Sequence, residues 1–273
     1  MKWRDAESVG GVALVVALGG GAVVVGPRLL FSDGADDSKV VSIERDATYK
    51  DSSLLLKAWA LPVAALYQKG GLEEQRNKSF CGPTTVVELL RSLGQPADQA
   101  HVLDGTGTKT TFGLVWGGLT LDELAEIVRK KSGRPVTVLR DLDLATFRQH
   151  LARANDPGRR YLVNFSRGPL FGRGGGHHSP IGGYLAAEDL VLVLDVNGEY
   201  KPWLVKSERL FAAIDTVDKQ TKKKRGLLLI DVNQETGRQE RRRRRKPPSS
   251  SSTVFLVTGR PIETPRRTRH CPS

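Results

Sequence analysis

Between residues 53 and 151 apolar side chains recur at three- and four-residue intervals, and beyond residue 160 they gather in short runs. The first texture predicts helices and the second predicts strands. A helical pattern over 53–68 is interrupted at Pro62. A second helix is expected after Cys81, with Val86, Val87, Leu89, Leu90 and Leu93 on its apolar side and Gly94 as its stop. Thr120 and Glu123 have the spacing of a capping box. The helix they open puts Leu121, Leu124, Ala125 and Val128 on one face and ends in Lys130-Lys131. A further helix is expected from Asp143, with Leu144, Phe147 and Leu151 inward. Residues 161–165, 180–184, 190–196, 226–232 and 253–257 read as strands. Helices first and strands second predict an α+β domain with a mostly antiparallel sheet.

The ends of the chain follow neither pattern. Residues 9–25 are an unbroken run of apolar residues and glycine, closed by Gly26-Pro27-Arg28. The run is at the short edge for a spanning helix, and Leu29-Leu30-Phe31 extend it. A secretory segment and a buried N-terminal helix are the other readings; with no A-x-A cleavage site, an uncleaved anchor is preferred. Residues 1–31 are therefore expected to attach the protein to a membrane or to export it, which places it at a membrane, in a periplasm or in an organelle. Residues 32–52 are expected to be a linker, and 53–232 the folded domain. Residues 233–252 form a basic low-complexity insertion, 253–258 a last strand and 259–273 a basic tail.

Composition is globular, with 39% hydrophobic and 26% charged residues. The net charge of +12 suggests nucleic acid until it is located. All of the surplus lies in the last fifth of the chain, after a body with balanced charge. No aromatic residue is interleaved with the arginines of the insertion, so specific nucleic-acid binding is not expected. The two cysteines, Cys81 and Cys271, make no disulfide framework.

Chemistry gathers around Cys81. It stands before Gly82-Pro83 at the predicted start of a helix, where partial positive charge favours thiolate over thiol. Gln75 lies six residues upstream. Of the five histidines, His150 is expected on a helix surface, His101 in a loop and His270 in the tail. His177 and His178 follow Gly174, Gly175 and Gly176, which allow a ligand close to the backbone. Asp195 ends the apolar run of the next strand, and antiparallel pairing would bring it within reach of either histidine. A thiol at a helix mouth, a histidine base on a strand and an acid to orient it form a complete nucleophilic set. Gln75 would add a side-chain N–H for a tetrahedral oxyanion. The order Gln, Cys, His, Asp is that of papain-like enzymes.

The segments 75–94, 117–125, 174–184 and 190–205 together resemble the phytochelatin synthase family, over roughly residues 54–230. The resemblance implies a papain-like cysteine proteinase fold and γ-glutamylcysteinyl transfer from glutathione. It assigns the nucleophile to Cys81, the catalytic histidine of a G-H-x-S-P-I-G motif to His177, the catalytic acid to Asp195 and the oxyanion glutamine to Gln75. His178 stands where the family often has an aromatic. Asp218 and Arg225, seven apart before Gly226, match the pair that holds the γ-glutamyl end in the family, with Gly176 beside the substrate. Pro83-Thr84-Thr85 replaces the usual alanine-serine stretch, and the segment from Asp218 to Arg225 is unusually rich in lysine. The cysteine-rich C-terminal domain of the plant and fungal enzymes is absent from the sequence. The resemblance is therefore to the short, one-domain members, which often cleave glutathione more readily than they polymerise it.

No metal held by the protein is expected, because no Cys/His cluster has ligand spacing. The resemblance implies that cadmium or zinc acts as an activator, through heavy-metal thiolates of the substrate. Two other readings stay open. One is a membrane-anchored cysteine peptidase of the bacteriocin-processing type, which would not need Asp218 and Arg225. The other is an inactive interaction protein working through its basic arm.

Overall fold

The computed structural model describes residues 40–233. The apolar run at 9–25, most of the basic insertion, the strand expected at 253–257 and the tail with His270 and Cys271 lie outside the described residues. Among the described residues, no helix is long and apolar enough to cross a membrane.

The first half of the described residues is helical, and local sequence sets each boundary. Helix α1 (Ser52–Trp59) is capped by the Asp51 side chain, which accepts from the Leu54 N–H at 2.9 Å. Helix α2 (Pro62–Gly70) begins on Pro62, whose missing N–H costs nothing at that position. Helix α3 (Cys81–Ser92) ends in a Schellman turn. Gly94 has φ +72°, its N–H reaches the Arg91 carbonyl, and the Gln95 N–H reaches that of Leu90. Helix α4 (Leu121–Ser132) opens on the Thr120/Glu123 capping box and closes on Gly133 in the left-handed region.

Six strands follow: β1 (Val136–Leu139), β2 (Arg159–Ser166), β3 (Gly176–Leu185), β4 (Leu190–Val193), β5 (Trp203–Lys206) and β6 (Gly226–Asp231). Helix α5 (Leu144–Ala152) lies between β1 and β2, the single turn α6 (Gly168–Phe171) between β2 and β3, and α7 (Ser207–Ile214) between β5 and β6. The sheet order is β1-β6-β2-β3-β4-β5, and every pairing is antiparallel. Both faces are covered. Tyr161, Val163 and Phe165 pack with α5, α6 and α7. Leu162, Leu228 and Ile230 pack with α3 and α4. Helices α1 and α2 cover Leu190, Leu192 and Leu204. Burial on both faces explains why β2 carries Tyr161, Leu162 and Val163 in succession instead of an alternation.

The α+β class with a helical first half and an antiparallel sheet is as expected. Three expectations change. The segment read as a linker is partly folded: Ile43 and Tyr49 are buried in the main core, and the Tyr49 carbonyl accepts from the Leu204 N–H. His150 is half-buried and lies 3.2 Å from the Tyr161 hydroxyl. The strand expected over 190–196 stops at Val193, so that Leu194, Asp195 and Val196 leave the ladder. β1, β5, α6 and α7 were not foreseen; β1, β5 and α6 have only four residues each, too few to show a period.

Replacing Thr120 by Ala removes the hydroxyl that accepts from the Glu123 N–H and leaves the Glu123 carboxylate on the backbone N–H of position 120. It is expected to cost about 1 kcal/mol, lowering the melting temperature by about 2–4 °C in a calorimetric scan. An unchanged melt would mean that the cap adds nothing to α4.

Candidate active site

Cys81 is the first residue of α3, and its side chain is buried. The preceding Phe80 makes no side-chain cap, so the amides of the first turn are not neutralised by a carboxylate or hydroxyl at that position. Gly82 lets this end pack tightly. A Cβ there would sit 2.8 Å from Leu119 Cδ1.

Strand β3 presents the two histidines in opposite directions, as successive strand residues must. His177 pairs with Phe165 across the ladder and packs edge-on against its ring at 5.4 Å. Its Nε2 lies 2.9 Å from Asp195 Oδ1. The ring N–H is not aimed squarely at the oxygen, so charge attraction outweighs hydrogen bonding in this contact. The Cys81 thiol is hydrogen-bonded to the same imidazole. With Nε2 at the carboxylate, Nδ1 is the nitrogen left to face the sulfur. His178 instead directs Nε2 at the Leu119 carbonyl, 2.7 Å away, and so does not compete for the thiol. Cys81, His177 and Asp195 thus come together as expected.

The Asp195 side chain has no solvent exposure. Arg167 Nη2 donates to both of its oxygens at 2.9 Å, Trp203 Nε1 donates to Oδ2 at 2.9 Å, and the Asn197 N–H donates to Oδ1 at 3.0 Å. Arg167 was not foreseen. It lies just past the end of β2, and its guanidinium sits 3.9 Å from the centre of the Tyr200 ring, with Phe165 and Phe171 near by. Nothing in the run Phe165-Ser166-Arg167-Gly168 distinguishes this arginine from the many others.

The electrostatics follow from these neighbours. Burial pushes the Asp195 carboxyl up, but His177 and Arg167 outweigh it and hold the group far below the usual carboxylate range. Burial also pushes the Cys81 thiol up; the His177 charge and hydrogen bond, the His178 N–H and Arg167 reverse this, so the thiol ionises below its ordinary range. Burial and Arg167 pull His177 down, yet Asp195 and Cys81 together raise it above an ordinary imidazole. A lowered thiol beside a raised imidazole favours a thiolate–imidazolium pair.

The remaining expected residues surround this pair. The Gln75 N–H donates to the Val196 carbonyl at 2.7 Å, which ties the segment before α3 to the chain just after Asp195. Gln75 Nε2 spends one N–H on the Asn77 carbonyl and keeps the other. Arg225 is buried, and its Nη2 lies 2.7 Å from where a Cβ on Gly176 would be. Asp218 Oδ2 is 3.9 Å from Arg225 Nη2, while Asp218 Oδ1 caps the turn at Gln220. Among the described residues, no three His, Cys, Asp or Glu side chains are placed to hold a metal ion.

A family model for phytochelatin synthase matches residues 48–227. Among curated proteins, glutathione gamma-glutamylcysteinyltransferase 1 of Arabidopsis thaliana is 37% identical over 86 residues, 31% of this chain and 18% of that protein. The wheat (Triticum aestivum) protein of the same name is 40% identical over 86 residues, 31% of this chain and 17% of its own. The glutathione gamma-glutamylcysteinyltransferase of Schizosaccharomyces pombe is 24% identical over 170 residues, 58% of this chain and 41% of its own. The chain thus spans less than half the length of these relatives. Among solved structures, the peptidase domain of Streptococcus ComA superposes with a TM-score of 0.41 at 18% identity, covering 58% of this chain and 94% of that one. A putative C39-like peptidase from Bacillus anthracis gives 0.44 at 12% identity, covering 61% and 96%.

The rate of any reaction that uses this pair is expected to be bell-shaped in pH. It rises as Cys81 loses its proton below the ordinary thiol range and falls as His177 loses its own above the ordinary imidazole range. Arg167→Met removes a charge that helps hold the thiolate, so the acid limb moves to higher pH. Breaking the buried Arg167–Asp195 pair is expected to cost about 3–5 kcal/mol, read from denaturant melts. An unmoved acid limb would contradict the role given to Arg167.

Proposed function

Because the chain belongs to the phytochelatin synthase family, we propose that it is a cysteine acyltransferase that uses glutathione. The observation that carries the reading is the Cys81–His177 contact at the mouth of α3, with the other imidazole nitrogen on Asp195.

In this reading the Cys81 thiolate attacks the carbonyl carbon of the Cys–Gly peptide bond. The oxyanion that forms is met by the N–H of Cys81 and the second side-chain N–H of Gln75. The carbon–nitrogen bond breaks, the His177 proton moves to the departing nitrogen, and free glycine leaves. A γ-glutamylcysteinyl thioester remains on Cys81. His177, now neutral, takes a proton from the acceptor. A second glutathione attacking through its α-amine yields phytochelatin and restores the thiol; water yields γ-glutamylcysteine.

Asp218 and Arg225 hold the two charges at the γ-glutamyl end, the ammonium and the carboxylate. The guanidinium fork suits both oxygens of a carboxylate. The Lys-rich turn between them, with the Asp218 N–H on the Lys223 carbonyl, keeps the pair together. Cadmium or zinc enters as a thiolate of the substrate, not as a group of the protein. Attachment to a membrane, or export, through residues 9–31 is part of the proposal; a truncation lacking them is expected to leave the membrane fraction after cell lysis.

Glycine release from glutathione, with and without cadmium, tests the reading. Wild type is expected to release glycine, and Asp218→Asn and Arg225→Lys are expected to raise KM roughly tenfold, the worth of one charged hydrogen bond. The α-linked tripeptide Glu-Cys-Gly is expected to be a poor substrate. Equal turnover of the α- and γ-linked tripeptides would contradict γ-glutamyl recognition, and no glycine from either would contradict the acyltransferase itself.

A further inference from the structure

His178 is the second member of the histidine pair, and the chemistry above uses only its backbone. Its side chain is 2% exposed. Nε2 lies 2.7 Å from the Leu119 carbonyl oxygen. A carbonyl only accepts, so Nε2 must carry the proton, and Nδ1 therefore has a bare lone pair. Nδ1 is buried and has no hydrogen-bond partner. A buried acceptor left unmatched costs free energy, so pairing Nδ1 with a donor is favourable.

The position of Nδ1 limits the donor. The His178 N–H points at the Cys81 sulfur. On the same face of β3, two residues back, is Gly176, which is exposed. The guanidinium of Arg225 occupies the space a Cβ on Gly176 would fill, 2.7 Å from it. The imidazole therefore shares the strand face of Gly176, where the arginine lies, while the backbone N–H of the same residue meets the thiol. Burial holds the ring neutral, with its pKa pulled down to about 4, so the lone pair persists at neutral pH.

We propose that His178 Nδ1 is a specificity-determining acceptor for the amide N–H that joins the γ-glutamyl group to cysteine in the substrate. This rests on the acyltransferase reading. With the Cys–Gly carbonyl at Cys81 and the glutamyl carboxylate at Arg225, that N–H is the donor in the middle of the acyl group. The carboxylate and carbonyl oxygens on either side of it cannot pair with a lone pair. The contact is present in both the ground state and the transition state, so it acts on binding and not on the chemical step.

Two variants and one substrate analogue test it. Gln at 178 keeps a donor in the place of Nε2 for the Leu119 carbonyl and lacks an acceptor in the place of Nδ1. Phe at 178 keeps the ring volume and lacks both. The analogue is the depsipeptide of glutathione in which an ester oxygen replaces the γ-glutamyl amide N–H. His178→Gln is expected to raise KM for glutathione about tenfold, with kcat within about twofold and the melting temperature close to wild type. The depsipeptide is expected to bind wild type about tenfold more weakly than glutathione does. Neither variant is expected to distinguish the two substrates. A depsipeptide penalty as large in His178→Gln as in wild type would overturn the proposal, and so would a KM unchanged in that variant. If wild type releases no glycine from glutathione, the acyltransferase reading fails first and takes this inference with it. Glycine release with unchanged KM in His178→Gln sinks this inference alone.

Discussion

A carboxylate without solvent sits at the centre of this fold. An isolated ionised carboxylate in a protein interior costs several kcal/mol, so its surroundings must supply donors and positive charge. Asp195 receives them from three directions: Arg167 beyond β2, Trp203 at the start of β5, and the Asn197 N–H beyond β4. Meeting that demand explains several irregularities together. β4 ends at Val193, so that Asp195 turns inward instead of continuing the ladder. The loop after β2 folds into a single turn that leaves Arg167 over the aromatic rings of Tyr200, Phe165 and Phe171. Trp203 is fully buried, and Tyr49 stacks on it, which is why residues ahead of α1 belong to the core.

The charge of Asp195 is passed on through one imidazole. His177 is raised by the carboxylate and lowered by Arg167, and the balance leaves it above an ordinary imidazole. That ring, with the start of α3, lowers the thiol that burial alone would push up, and so favours the thiolate. Because successive residues on a strand face opposite ways, the neighbouring His178 is turned to Leu119 and kept neutral. One dipeptide thus provides a charged ring and a neutral ring, separated by the pleat of β3.

Much of this was legible in the sequence where local rules apply. The Thr120/Glu123 box, Asp143 as the beginning of a helix, Pro62 as an interruption and Gly94 as a stop are short-range signals, and each is present in the fold. The meeting of Cys81 and Asp195 with one of the two histidines was foreseen from their order and from the expectation of adjacent antiparallel strands, and the choice of His177 came from the family resemblance. Arg167, Trp203 and Tyr200 were not foreseen, because each acts through contacts between residues distant in sequence. Ile43 and Tyr49 were hidden for the opposite reason: their segment is polar and turn-rich, and the two buried side chains carry no period. The roles of Asp218, Arg225 and Gly176 came from the family resemblance, and no spacing rule alone would have found them.

The most direct measurement of the central claim is the intact mass of the protein after brief mixing with glutathione. A thioester adduct of one γ-glutamylcysteinyl group is predicted on wild type, removable by hydroxylamine and absent from Cys81→Ser. A wild-type mass that stays unchanged, or an adduct that persists in Cys81→Ser, would contradict the account.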